Sequence, residues 1–268
     1  MTPRVGWCLM GLLLMLSVAA PTAAAHQLSP DELHTVAFRQ HPGESVPLDL
    51  QFTDENGTPV TLSQFFGQRP VILSLNYFTC QSLCPLELQG LVGGLNGVPF
   101  TLGDQYTLIS VSIDPRDTPA SAATAKFSAL RGYVHPEAAA GFHLLTTSNQ
   151  STIDTLASAI GFQYVYDDQE QEYAHPIGVV VLTPGGQISR YIYGLDFSAT
   201  DLRLSLVEAA AQHIGGLVEQ VLLVCYHYDA INGRYTPLVF DIMKAAGGAT
   251  VLLVGCALFW LRRSERVA

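Results

Sequence analysis

A run of apolar residues, Val71-Ile-Leu-Ser-Leu75, leads through Asn76-Tyr-Phe-Thr into two cysteines, Cys80 and Cys84, and Pro85 then opens a stretch of helical character to about Leu95. No other feature restricts the fold as much. A strand that is apolar on both faces must be covered on both faces, which is the condition of a parallel or mixed sheet inside an α/β domain. The thiols fall where that strand hands over to a helix, and Pro85 suits the first helical turn. A helix N-terminus favours the thiolate over the thiol, so the position makes for reactive cysteines. Three readings are open at this point: the thiolates pass electrons, hold a metal, or do both.

The surrounding pattern supplies the rest of such a sheet. Residues 48–52 alternate, Asn56-Gly57 is a turn signal and residues 60–62 follow, which predicts an opening hairpin. A short helical turn is expected over 63–67, strands over 71–78 and 106–113, and a helix from Pro119 to about Tyr133. A strand over 142–145 precedes a helix over 152–160 capped by Ser148 or Asn149. Residues 162–166 read as one strand, 177–182 and 188–193 as a hairpin around Pro184-Gly-Gly186, and a last helix capped by Ser198 or Thr200 runs to about His213. A strand, a paired-thiol turn and a helix in that order resemble thioredoxin-like proteins. The expected fold is therefore α/β and thioredoxin-like, a central mixed sheet with helices on both faces and an N-terminal hairpin, plus a C-terminal transmembrane helix.

The ends of the chain read differently from its middle. Arg4, the apolar stretch 7–20 and Ala23-Ala-Ala25 before His26 form a signal-peptide pattern, with an uncleaved anchor as the alternative. Residues 245–261 are apolar and uncharged, and Arg262, Arg263 and Arg266 follow. At ~1.5 Å per residue this is slightly short for a hydrocarbon core of ~30 Å. Lys244 and the arginines can snorkel, and Trp260 suits the interface. The arginines place the C-terminus in the cytoplasm, and the body of the protein across the membrane in a periplasm-like space. The chain thus divides into a signal peptide (1–25), an arm (26–43), a domain (44–213), a connector (214–244), a transmembrane helix (245–261) and a cytoplasmic tail (262–268).

Net charge is -10 and no basic stripe exists, which excludes nucleic acid as a partner class. Of five cysteines, Cys8 leaves with the signal peptide and Cys256 lies in the span. Cys80, Cys84 and Cys225 remain, an odd count that argues against a disulfide framework and for thiols with a chemical task.

Three residues separate Cys80 from Cys84, which lets both sulfurs face one side of a turn with room for an ion. Two thiolates are soft donors that favour Cu(I), and zinc would also accept them. A third ligand is wanted, and imidazole is its usual source. Of eight histidines, His175 in Glu172-Tyr-Ala-His-Pro-Ile-Gly178 stands just before an apolar strand, in a loop that thioredoxin-like topology turns toward the cysteines. The alternative is a loop histidine that satisfies a backbone carbonyl.

Cys-x-x-x-Cys-Pro after a strand, Val111-Ser-Ile-Asp-Pro-Arg-Asp-Thr-Pro119, and a single histidine before a strand-turn-strand together resemble the Sco/SenC family, over residues 46–212. The resemblance implies a membrane-anchored thioredoxin fold binding one copper ion through Cys80, Cys84 and His175. It implies assistance in assembling the binuclear copper centre of cytochrome c oxidase, with the subunit carrying that centre, or another periplasmic cuproprotein, as partner. It also admits a thiol-disulfide oxidoreductase that reduces the cysteines of the receiving subunit. Two departures stand out: Cys-Gln-Ser-Leu-Cys replaces the common Cys-Pro-Asp-Val-Cys, and the anchor is C-terminal.

Asp114 and Asp117 flank Pro115-Arg116 and could orient a ligand or a docking partner from behind. The simpler reading has them close a turn and cap the next helix. Cys225 and His227, two apart near the span, could touch a held copper ion, or Cys225 could simply be packed. Tyr164, Tyr166, Tyr191 and Tyr193 alternate on strands, as sheet packing does. No Ser-His-Asp order, phosphate loop or paired-carboxylate signature is present. The short tail after Leu261 weighs against a transmembrane sensor.

Overall fold

The computed structural model describes residues 35–80 and 82–214, together with isolated positions from 228 to 254. The predicted signal peptide, Cys225, His227 and nearly all of the predicted span lie outside the described residues. Among the described residues no helix is long and apolar enough to cross a membrane.

Strands β1 (Ala37–Phe38), β2 (Gln51–Thr53), β3 (Pro59–Thr61), β4 (Val71–Asn76), β5 (Thr107–Ser112), β6 (Phe142–Leu145), β7 (Phe162–Gln163), β8 (Val165–Asp167), β9 (Glu172–Ala174), β10 (Gly178–Leu182) and β11 (Ile188–Tyr193) are interleaved with four helices. The helices are α1 (Cys84–Leu95), α2 (Pro119–Ala129), α3 (Gln150–Ala159) and α4 (Ala199–Ala210). Five strands form the central sheet in the order β11-β10-β4-β5-β6. Strands β4, β5 and β6 run parallel, whereas β10 is antiparallel to both β4 and β11.

Side-chain alternation divides the core between the two faces. Leu73, Leu75, Ile109, Val111 and Val180 pack on one side with Ile153, Leu156 and Ala157 of α3 and with Phe52 and Leu62 of the opening hairpin. Ile72, Leu108, Val179 and Val181 pack on the other side with Leu88, Leu91 and Val92 of α1, Ala122 of α2 and Leu202 of α4. The mixed sheet with helices on both faces, as the pattern predicts, is thus three helices against one. Helix α1 seats close to the chain that follows β11: a Cβ on Gly94 would meet the Phe197 carbonyl oxygen at 2.2 Å. That approach requires a residue without a side chain.

Caps decide most boundaries. Thr118 and Ser121 form a reciprocal capping box at α2, Asn149 rather than Ser148 caps α3, and Ser198 rather than Thr200 caps α4. Helix α2 ends at Ala129 and continues only as a 3-10 turn, Leu130–Gly132, short of the predicted Tyr133.

Two local expectations are corrected. Residues 162–166 are not one strand: β7 pairs with β1, and β8 pairs with β9 in a separate small ladder. The end of the predicted arm is also part of the packing. Phe38 of β1 lies edge-on to Phe162 and Tyr191, with centroids at 5.3 and 5.5 Å. In the predicted connector, Tyr228–Asp229 and Arg234–Tyr235 pair as a short antiparallel ladder.

Candidate metal centre

The thiol turn begins where β4 leaves the sheet. Tyr77 stays buried, and the Phe78 amide donates to Asp117 Oδ2 at 2.6 Å, which holds the start of the turn against the loop after β5. Asp117 also accepts from the hydroxyls of Ser112 and Ser121. One carboxylate therefore gathers the ends of β4 and β5 and the start of α2. Cys84 is the first residue of α1, and both cysteines are free thiols with little exposure, 8% for Cys80 and 3% for Cys84.

His175 sits between β9 and β10. Because β10 runs antiparallel to β4, its first residues lie beside the last residues of β4, and the imidazole arrives at the thiol turn. Its Nε2 lies 3.2 Å from Cys84 Sγ, and its Nδ1 lies 3.0 Å from the Pro176 carbonyl oxygen. A carbonyl only accepts, so Nδ1 carries the proton and Nε2 presents its lone pair to sulfur. The ring satisfies a backbone carbonyl, as one of the two sequence alternatives has it, and at the same time faces Cys84. Tyr77 and Phe162 flank it, with centroids at 6.0 and 5.8 Å.

Charge is distributed unevenly across the pair. The hydrogen bond from Cys84 lowers the Cys80 thiol to about 4 against the opposing effect of burial, with help from the Ser82 and Tyr77 hydroxyls. The same bond, and then burial, push the Cys84 thiol far up. The sequence argument made both cysteines reactive without choosing between them; of the two, the thiol ahead of the helix is pushed down and the one at the helix start is pushed up. A shared proton outweighs the helix terminus here. Burial lowers the pKa of His175 and so keeps the ring neutral, which leaves Nε2 free to act as a donor to a soft cation.

The donor set fits a soft metal ion: a thiolate, a second thiol and a neutral imidazole oriented by a backbone carbonyl. Among the described residues no three Cys, His, Asp or Glu side chains are already drawn together into a closed ligand shell. The structure brings Cys84 to His175, while Cys80 Sγ lies 3.4 Å from the Ser82 hydroxyl. Asp114 stands apart from the sulfurs and takes Arg116 in a fork, with Oδ1 and Oδ2 at 2.9 Å from Nε and Nη2 respectively. Arg116 in turn lies over the Tyr166 ring at 5.1 Å. Tyr164 and Tyr166 pack tilted against Tyr173, while Tyr191 and Tyr193 pack with Phe38.

Sequence reasoning passed over Tyr77 and Ser82, whose hydroxyls reach Cys80, and Glu87, which is fully buried on α1. A polar residue in the first turn of an otherwise apolar helix face was the signal available for Glu87. A cavity of about 180 Å³ adjoins Cys84 between α1 and α2, floored by Tyr77, Phe78 and Leu88.

A mixed sheet with a paired-thiol turn at the end of a central strand, faced by a histidine from the segment that enters the neighbouring antiparallel strand, defines a thioredoxin-like thiol protein. The chain belongs to the SCO1/SenC family, whose profile matches residues 39–208. Among solved structures it is similar to a proposed electron transfer protein of Aquifex aeolicus VF5, at 27% identity and a TM-score of 0.57, over 64% of this chain and 95% of that one. A proposed electron transport protein of the same organism also matches at 27% identity, with a TM-score of 0.53, over 64% and 99%. BsSco, a member of the Sco family of cytochrome c oxidase assembly proteins, shares the fold at 19% identity and a TM-score of 0.51, over 64% and 97%. No curated protein matches the chain.

Proposed function

We propose that this protein is a copper-binding metallochaperone that assists assembly of the copper centre of cytochrome c oxidase, with one copper ion as cargo. The observation that carries the reading is the 3.2 Å approach of His175 Nε2 to Cys84 Sγ, with Nδ1 already committed to Pro176. Cys80, Cys84 and His175 would be the ligands, since two sulfurs and an imidazole suit Cu(I). Few ligands near the surface leave a receiving protein able to replace them one at a time. That protein would be the oxidase subunit carrying the binuclear centre or another periplasmic cuproprotein. Asp117 supports the turn from behind, and the 245–261 helix would hold the domain on the outer side of the membrane.

Purified protein is expected to bind one equivalent of copper, and Cys80→Ala, Cys84→Ala or His175→Ala each to lose it. A His175→Ala protein with wild-type affinity and spectrum would show the ligand assignment to be wrong.

One observation favours a second reading. A thiolate at Cys80 beside a protonated Cys84 is the arrangement of a thiol reductant. The Cys80 thiolate would attack a client disulfide, Cys84 would then displace the client thiolate, and two electrons would pass to the client as the Cys80–Cys84 disulfide forms. Titration against a dithiol buffer separates the two: a strongly reducing pair in a protein that retains no copper favours the reductant.

A further inference from the structure

Glu87 is the one acid among the inward residues of α1. Leu88, Leu91, Val92 and Leu95 are apolar, yet Glu87 is 0% exposed beside them. It stands three residues after Cys84, on the same side of the helix one turn on. Its Oε1 accepts from the Gly178 amide and from the Ser74 hydroxyl, both at 3.3 Å. Gly178 opens β10, three residues after His175. Ser74 belongs to β4, the strand that runs on into the Cys80 turn. Behind Ser74 the chain of polar contacts continues, with Asn76 Nδ2 donating to Ser74 at 3.2 Å and the Ser110 hydroxyl donating to Asn76 at 3.1 Å. One carboxyl group therefore meets all three chain segments that carry Cys80, Cys84 and His175.

The arrangement is costly. Glu87 Oε2 has no hydrogen-bond partner although it is buried. A buried polar atom without a partner costs ~1–3 kcal/mol, and an aliphatic residue would avoid that cost. Burial raises this carboxyl to about 8, so it is held neutral at neutral pH, where it acts through its acceptor oxygen rather than its charge.

We propose that Glu87 is a positioning residue that sets the separation of Cys84 and His175, by tying the thiol helix to the first residue of the strand behind His175. The proposal rests on reading the two cysteines and His175 as one site. It also explains how a contact between residues so distant in sequence is kept in register: the helix and the strand are joined directly beneath it. Without the tie, α1 and β10 meet only through aliphatic packing, which is non-directional.

The test compares Glu87→Gln, which keeps an acceptor oxygen at the Oε1 position, with Glu87→Leu, which removes it. The first readout needs no metal: the imidazole ¹⁵N resonances of His175 in the reduced full-length protein. Glu87→Gln is expected to keep the wild-type Nε2 resonance and copper affinity. Glu87→Leu is expected to shift that resonance toward a free imidazole and to weaken copper binding at least tenfold. A folded Glu87→Leu protein with wild-type resonance and affinity would overturn the proposal. If Glu87→Leu does not fold, Glu87→Gln decides alone, since a displaced His175 resonance there also overturns it. Wild-type protein that retains no copper while Glu87→Leu still moves the His175 resonance would sink the copper reading and leave the tie standing.

Discussion

The protonation of three side chains sets what the site can do. The Cys80 thiol is pushed down and the Cys84 thiol up, each chiefly by the other, and burial lowers His175 toward the neutral imidazole. None of this is local. The cysteines were legible as reactive from their place between strand and helix, but which of the two ionises depends on hydroxyls from Tyr77 and Ser82 and on a shared proton. Glu87 adds a measurable pH dependence. Its folded pKa of about 8 lies above the ordinary 4.5, so the stability it contributes is full below about pH 4.5 and is lost as pH rises through 8. The difference between wild type and Glu87→Gln isolates the carboxyl. Urea unfolding at pH 5, 6.5 and 8 is expected to show wild type losing stability relative to Glu87→Gln by about 1.4 kcal/mol per pH unit within that window. A constant difference across the three pH values would show that Glu87 is not held protonated.

Among the elements, those with strong local signals were read correctly. Strands β4, β5 and β10 are buried on both faces, the helices have caps or an N-terminal proline, and β6 begins and ends at the predicted residues. One element missed was β9, Glu172–Ala174, in the stretch Asp167-Asp-Gln-Glu-Gln-Glu-Tyr173, which has the composition of a loop. Its pairing with β8 is supported by Tyr173 tilted against Tyr166 at 4.8 Å and by Arg116, from distant sequence, over both rings. Yet β9 is the strand that delivers His175. The loop after β5 shows the same dependence. Asp117 was read mainly as a helix cap, and its Oδ1 does accept from Ser121. Its Oδ2 also receives the Phe78 amide and so braces the thiol turn. Asp117→Ala would leave that amide without its charged acceptor, and hydrogen bonds to charged groups are worth ~1.5–3 kcal/mol each. A thermal or urea denaturation series is expected to show about 2–4 kcal/mol of destabilisation, and a loss below 0.5 kcal/mol would remove Asp117 from the support of the site. Asp114, forked onto an Arg116 whose side chain is 54% exposed, is expected to matter less.

Taken whole, the molecule depends on one topological fact: β10 runs against β4. Had it run parallel, the start of β10 would lie at the far end of the sheet from the thiol turn, and His175 with it. Short-range patterns were enough to determine a sheet covered on both faces and a thiol pair at a strand-helix junction, since apolar periodicity, capping and proline leave a direct mark within a few residues. The place of His175 came instead from the thioredoxin-like topology and the family resemblance. The tertiary structure alone decided that Cys84 meets His175 across 91 residues of sequence, that the two thiols are pushed in opposite directions, and that Glu87 joins the helix of one to the strand behind the other. Strand direction, burial and a shared proton arise only once the chain has packed, because each is a relation between segments that no single segment encodes.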